Sequence, residues 1–317
     1  VIESFRESFG RTLVEIGRKN KDVIVVDADV KNSTKTVYFE NQFPDRFIQV
    51  GISEQDMIGT AAGLAIAGKI PIVSAFAAFL MRAWEQIRNT IARDNLNVKI
   101  VATHSGFSDF LDGSSHQCLE DIALMRVLPN MKVVVPADAY ATRALLYEIV
   151  EDHGPAYMRL GRDFAPRVYE DGDEIKLGKA NILRDGSDIL FVASGVMVSV
   201  ALEVAENLKG VGIDAGVLDM HTVKPLDERT LINLARKVNL VITLEEHTIF
   251  GGLGGAVAEA LSEKMPRRVI RIGSTTFGRS SRDYLSLLDR YGLSVNKVYS
   301  KVLEVVKNED DEVLEGV

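Results

Sequence analysis

Continuous apolar, β-branched runs recur along this 317-residue chain, and between them apolar residues fall at helical spacing. In the first half the runs are 22–29, 46–51, 71–76, 97–104, 132–138 and 156–161. None alternates with polar residues, so each predicts a strand buried on both faces. Helices are expected near 3–19, 54–67, 79–94, 118–127 and 138–152. Strands alternating with helices predict a mostly parallel sheet covered on both sides. The stretch 162–180 breaks this rhythm. It is polar, contains Pro166 and two glycines, and reads as a linker. The rhythm then restarts, with strands expected at 188–195, 214–220, 239–246 and 268–273. Helices near 197–209, 227–237 and 253–264 lie between them, and closing helices follow. The expectation is an α/β protein of two domains, each a mostly parallel sheet flanked by helices. They cover 1–165 and 181–317, joined by 166–180, and end in an acidic tail that reads as frayed. The length suits two domains of roughly 100–200 residues each.

One helix does not fit a plain reading. In "GISEQDMIGTAAGLAIAG" (51–68) almost every position is small or apolar, which predicts a helix buried nearly all round. Yet it opens on Ser53 and Glu54. A carboxylate in a first turn complements the helix dipole, so Glu54 by itself has an ordinary explanation. Position gives it a second one. In open α/β sheets, ligands sit beyond the carboxyl ends of the strands. That edge collects Asp27, Asp29, Glu54, His104 and Arg162. It also collects "SGFSDFLDGSSHQ" (105–117), a loop holding Asp112 and His116. Phe76 and Phe79 follow a strand and either line an aromatic pocket or belong to the core. His153 reads as solvated near a helix end, and His221 and His247 as packing or interface residues.

Composition removes several functions. Hydrophobic residues at 46% and charged residues at 26% are those of an ordinary soluble globular protein. A net charge of -8 argues against nucleic-acid binding, while leaving room for a local Arg/His pocket for an anion. The single cysteine, Cys118, excludes an intrachain disulfide framework and suits a reducing cytoplasm. There is no signal-peptide pattern and no apolar run near the ~18 residues of a membrane span. Zinc-ligand spacings, a G-x-S-x-G elbow and a G-x-x-x-x-G-K-[ST] loop are also absent. "GGLGGAV" (251–257) lies between a strand and a helix, as a dinucleotide loop does. It ends in Val257 where that motif needs Gly or Ala, so tight strand–helix packing is the better reading.

Taken together, several stretches resemble the transketolase family. "GISEQDMIGTAAGLAIAG", "AFAAFLMRAWEQIR" and "ATHSGFSDFLDGSSHQCLEDIALMRVLPNMKVVVPAD" resemble its pyrimidine-binding domain. "VLDMHTVKPLD" and "TLEEHTIFGGLGGAVAEAL" resemble its C-terminal domain. The resemblance covers nearly the whole chain in the family's order. It implies thiamine diphosphate as cofactor and transfer of a two-carbon ketol unit between sugar phosphates, as in the pentose phosphate pathway. It also gives Glu54 a role. In the family this glutamate bonds a ring nitrogen of the cofactor's aminopyrimidine and promotes the tautomer that takes the proton from thiazolium C2. Phe76 and Phe79 match aromatic residues that sandwich the pyrimidine. Arg82 falls where many transketolases carry an aromatic residue, and Asp29 matches an aspartate near the cofactor, although it would equally cap the following turn. His104 matches a histidine that faces the substrate and belongs to the catalytic set, and Asp112 and His116 match residues that bind the donor sugar's hydroxyls and assist proton transfer. Arg6, Ser33 and Arg162 match the residues that hold the substrate phosphate.

The family's diphosphate domain, with its "GDG" and a later Asn that hold Mg²⁺ or Ca²⁺, has no match here. "EDGDE" (170–174) has the letters in another order, and the stretch before Arg6 is too short for a domain. The resemblance is therefore to the C-terminal subunit of a split transketolase, or to the C-terminal part of a longer one. It implies a cofactor shared with a partner chain that carries the metal, within an α₂β₂ assembly containing a homodimer contact. An enzyme for another sugar phosphate, 1-deoxy-D-xylulose-5-phosphate synthase and a non-catalytic regulatory subunit stand as alternatives. His104 argues against the synthase and Arg82 weakly for it.

Overall fold

The computed structural model describes residues 2–315. Two open sheets carry the chain. The first has seven strands in the order Thr222–Lys224, Lys132–Val134, Ala156–Arg159, Lys99–Thr103, Ile70–Phe76, Val23–Asp27 and Phe47–Gln49. All of its pairs are parallel except the first, which is antiparallel. The second has five, in the order Arg268–Ser274, Leu240–Thr248, Ile189–Ala193, Ala215–Asp219 and Asn181–Arg184, the last one antiparallel. Both are covered by helices. Central strands such as Lys99–Thr103 and Ile189–Ala193 are buried at every residue. That is why their sequences run apolar without alternation.

Helix formation follows local signals. In Phe5–Lys19, the residues Phe5, Phe9, Leu13 and Ile16 form one buried stripe, with Glu7 in the first turn and Arg18 and Lys19 in the last. Ala139–Glu151 is capped by Asp138, one of whose oxygens accepts from Ala141 N–H at 2.7 Å. Its other oxygen accepts from the backbone of Val168 and Tyr169 at 2.7 and 2.9 Å. One aspartate thus caps a helix and pins the segment that crosses between the sheets.

Four expectations need correction. The stretch 166–180 is not a loose linker. Phe164–Pro166 pairs with Ile2–Ser4, and Tyr169 and Ile175 are buried. The helix Glu54–Ile66 is not buried all round: Gln55, Asp56, Gly59, Gly63 and Ile66 are exposed along one face. Region 79–94 is not one regular helix. It runs through Ala77–Leu80, a 3₁₀ turn Met81–Ala83, Trp84–Gln86 and a wider π turn Ile87–Ala92. The acidic tail is drawn into the closing helix Val295–Glu315, and Gly316 and Val317 lie outside the described residues. No helix among the described residues is long and apolar enough to cross a membrane.

Candidate active site

The parallel register assembles the site. Phe76 ends one strand directly opposite Thr103, the last residue of its neighbour. His104 follows Thr103, and its ring therefore stacks on Phe76, with centroids 3.6 Å apart and planes at 16°. Phe76 also stacks on Phe79, at 4.9 Å and 8°, and His116 meets the Phe79 edge at 5.3 Å. A ring sandwiched between two others needs about 7 Å between them, twice an aromatic contact distance. Phe76 and Phe79 therefore stack on each other, with no space for a pyrimidine between them. What they offer is a shared aromatic wall.

Next to that wall lies an open cleft of ≈ 570 Å³ lined by Glu54, Phe79, Arg82 and Ser115, among others. Glu54 is the first residue of its helix and is only 6% exposed. No hydrogen bond or ion pair to its carboxylate is found among the described residues. The Arg82 guanidinium is likewise without one, and the Arg82 carbonyl accepts only a long 3.5 Å bond from Gln55. A buried carboxylate normally has a partner. An unpartnered one opening on a cleft is suited to a ligand group that shares or donates a proton.

On the other side of Phe76 the site is crowded with charge. Arg6, 15% exposed, donates from Nη1 to the Ser33 carbonyl at 2.7 Å, from Nη2 to Asp163 at 3.2 Å, and from Nε to the Arg162 carbonyl. Arg162 donates to Asp109 at 2.8 Å. Both arginines matched to phosphate binding are thus held by carboxylates, Asp163 and Asp109, which sequence reasoning passed over. Both aspartates lie in stretches already singled out, one next to Arg162 and one three residues before Asp112. Burial and the neighbouring Asp112 raise the pKa of Asp109, against the pull of Arg162. Ser33 meets Arg6 through its backbone rather than its hydroxyl. Asp29 is exposed, with φ +66°, and its N–H donates to Gln49. The turn after this strand is capped instead by Asp27, which accepts from Val30 N–H at 2.8 Å.

His104 also has φ +56°, a conformation uncommon outside glycine that recurs at active sites. Its Nε2 lies 3.4 Å from Arg6 Nη1 and its Nδ1 2.8 Å from Thr103 Oγ1. Arginine only donates, so Nε2 is the acceptor and Nδ1 carries the proton. Burial, then Arg6, Arg162 and His116, push its pKa down to about 2. His104 therefore acts as a neutral hydrogen-bonding group. Its imidazole is expected to stay neutral across the interval of about pH 5–8 in which free histidine titrates. NMR of the labelled ring checks this, and protonation near pH 6.5 would contradict the assigned Arg6 contact.

The other histidines sort as expected. His153 is exposed, while His221 and His247 are fully buried. The "GGLGG" loop is filled from within: Leu253 and Gly254 donate their N–H groups to Glu245 at 2.7 and 2.8 Å. The helix N-terminus that would hold a dinucleotide phosphate holds an internal carboxylate instead. The described residues contain no cluster of three or more His, Cys, Asp or Glu that could hold a metal.

A parallel-sheet edge with an aromatic wall, a partnerless glutamate and a polar, arginine-bearing flank makes an open, polar-rimmed site on an α/β scaffold. The family models for the transketolase pyrimidine-binding domain and the transketolase C-terminal domain match residues 3–166 and 178–298. The chain belongs to the transketolase family. A provisionally named transketolase C-terminal section of Methanocaldococcus jannaschii is 44% identical over 314 residues, 98% of either chain. A 6-deoxy-6-sulfo-D-fructose transketolase subunit of a Clostridium species is 39% identical, over 96% of this chain and 95% of its own. A solved split-gene transketolase, described as an inactive β4 tetramer, superposes with a TM-score of 0.87 at 46% identity, over 95% of this chain and 97% of that one.

Proposed function

We propose that this chain is the C-terminal subunit of a two-chain transketolase. It moves a two-carbon ketol unit from a ketose phosphate to an aldose phosphate, with the diphosphate and metal of thiamine diphosphate held by a partner chain. The observation that carries this reading is Glu54, buried, without a partner and facing a cleft with an aromatic wall. Those residues fit an aminopyrimidine: a carboxylate for a ring nitrogen and an apolar wall for a ring face. When bound, the cofactor supplies the carbon nucleophile.

The chain's own residues do the rest. Glu54 holds and returns a proton at the ring nitrogen. Phe76 and Phe79 keep water from one face of the ring, and Arg82 and Asp29 border the cofactor. His104, His116 and Asp112 meet the donor's hydroxyls, His104 as a neutral hydrogen-bonding group and His116 and Asp112 assisting proton transfer. Arg6 and Arg162 take the phosphate in place of Asp163 and Asp109, because a guanidinium fork matches phosphate as well as it matches carboxylate. Ser33 sits beside them.

The partner has a surface to cover. Ile52 and Ile66 are 82% and 75% exposed, and between them Gly59 and Gly63 have open space where a side chain would stand. This flat face, apolar except for Gln55 and Asp56, continues from Glu54, so a chain docking there also walls the cleft. A relative's β-only tetramer is described as inactive, in keeping with a site completed by another chain.

The test is a two-subunit assay with xylulose 5-phosphate and ribose 5-phosphate. The purified chain alone should show no ketol transfer, and adding a diphosphate-binding subunit with "GDG" and the later Asn should restore it. Full turnover by this chain alone would overturn the reading. A different sugar phosphate is the second reading, favoured by the sulfofructose relative. Activity with another donor in the same assay separates the two.

A further inference from the structure

The loop 105–117 carries Asp112 and His116, and it is fastened from both halves of the chain. Ser105 Oγ donates to the Leu160 carbonyl at 2.7 Å and Gly106 N–H to the Cys118 carbonyl at 2.8 Å. Between them Arg162 donates its N–H to Ser108 Oγ at 3.0 Å and its Nη1 to Asp109 at 2.8 Å, and the other anchors come from the second half of the chain. Phe107 N–H donates to Glu246 Oε1 at 2.7 Å, and the Phe107 ring stacks on Tyr291 at 4.4 Å. Ser281 N–H donates to the Phe110 carbonyl at 2.8 Å. The Gln117 amide bridges the joint, donating to the carbonyls of Asp109 and Arg279 at 3.2 and 3.1 Å.

Glu246 stands out among these contacts. It is 4% exposed, in the strand Leu240–Thr248 of the other sheet. Gly106 has φ +64°, and a Cβ there would lie 2.5 Å from the Glu246 carboxyl carbon, so the glycine is what admits the carboxylate. Burying a carboxylate is costly, and burial raises its pKa to about 7 despite Arg159 nearby. An apolar residue would fill the volume without that cost, but would leave the buried Phe107 N–H without its acceptor.

We propose that Glu246 is a positioning residue for the donor sugar. By accepting the Phe107 N–H it sets the path of loop 105–117, and with it Asp112 and His116. The second α/β half thereby tunes a site that Glu246 does not touch. The kinetic part of this inference rests on the transketolase reading, whereas the fastening of the loop does not.

Two measurements test it. In the full chain, hydrogen exchange should show the Phe107 amide strongly protected. Glu246→Ala should release the amides of 107–113 while the core strand Lys99–Thr103 stays protected. In the two-subunit complex, Glu246→Ala should raise the donor KM and lower kcat/KM by up to about 10²-fold, the scale of a 1 Å misplacement. Deuterium exchange at the cofactor's C2, which depends on Glu54, should not change. Glu246→Gln, which still offers an oxygen, should restore most of the loss. If Glu246→Ala does not fold, Gln117→Ala, which cuts the other bridge, should raise the donor KM in the same direction. Weak protection of the Phe107 amide in the unaltered chain would overturn the proposal. So would wild-type loop exchange and donor KM in a folded Glu246→Ala variant. An unaltered complex without ketol transfer would refute the transketolase reading, and the exchange data would still decide whether Glu246 holds the loop.

Discussion

Replacing Glu54 by Gln is expected to lower ketol transfer by the two-subunit enzyme by about 10²–10⁴-fold, the usual worth of a group that moves a proton. The substitution keeps shape and volume and removes only the ability to exchange that proton. Stability should not fall with it. Glu54 is 6% exposed and has no bond to its carboxylate among the described residues, so the folded chain loses no contact in the variant. The thermal midpoint is therefore expected to hold while activity falls, which separates a catalytic role from a structural one. Deuterium exchange at the cofactor's C2 locates the defect. Wild-type exchange in the assembled Glu54→Gln complex would remove Glu54 from the proton path. Glu54→Asp should lie between the two, since it keeps the proton but shortens the reach.

This glutamate also marks where sequence reasoning succeeds and where it stops. Ten strands are legible because continuous apolar, β-branched runs mark them, and strand ends then rank the polar residues. His104, Arg162 and Glu54 were found in that way. Burial of the helix Glu54–Ile66 was misjudged because Gly59 and Gly63 count as non-polar in sequence but bring almost no side chain to bury. Composition alone cannot distinguish a face hidden in the core from one left flat for a partner. Thr222–Lys224 was missed for a different reason. It sets one Val between Thr222 and Lys224, so no apolar run marks it, and its partner Lys132–Val134 lies about 90 positions earlier in the other half of the chain; Asn181–Arg184, the other antiparallel edge strand, was missed with it. Roles that depend on the resemblance, such as those of Arg6 and Ser33, have no local signal at all. The buried polar contacts between the two halves are equally silent, because "EEH" at the end of a strand reads the same whether its side chains face water or the other sheet.

Arg159 shows what lies behind that silence, and its replacement by Met is expected to destabilise the chain by about 3–5 kcal/mol, the cost of leaving one member of a buried ion pair alone. Arg159 is 5% exposed and Asp121 is fully buried. The arginine Nε lies 3.1 and 2.9 Å from the two Asp121 oxygens. Its Nη2 donates to the Cys118 carbonyl at 3.3 Å and to the Glu246 carbonyl at 2.8 Å. One guanidinium thus joins the end of the sugar-facing loop, the helix after it and the strand of the second sheet. Methionine fills much of the space but donates nothing, and Asp121 keeps only the Tyr157 hydroxyl at 2.8 Å. The pair itself should be worth far less than the single loss suggests. Replacing both residues, with Arg159→Met and Asp121→Leu, removes the stranded charge together with its partner, and such swaps are often close to neutral. Urea midpoints of the two single variants and the double variant close the cycle. A double variant more stable than Arg159→Met would show that the penalty comes from the isolated Asp121. Equal midpoints for all four proteins would mean that neither the pair nor an isolated Asp121 bears on stability.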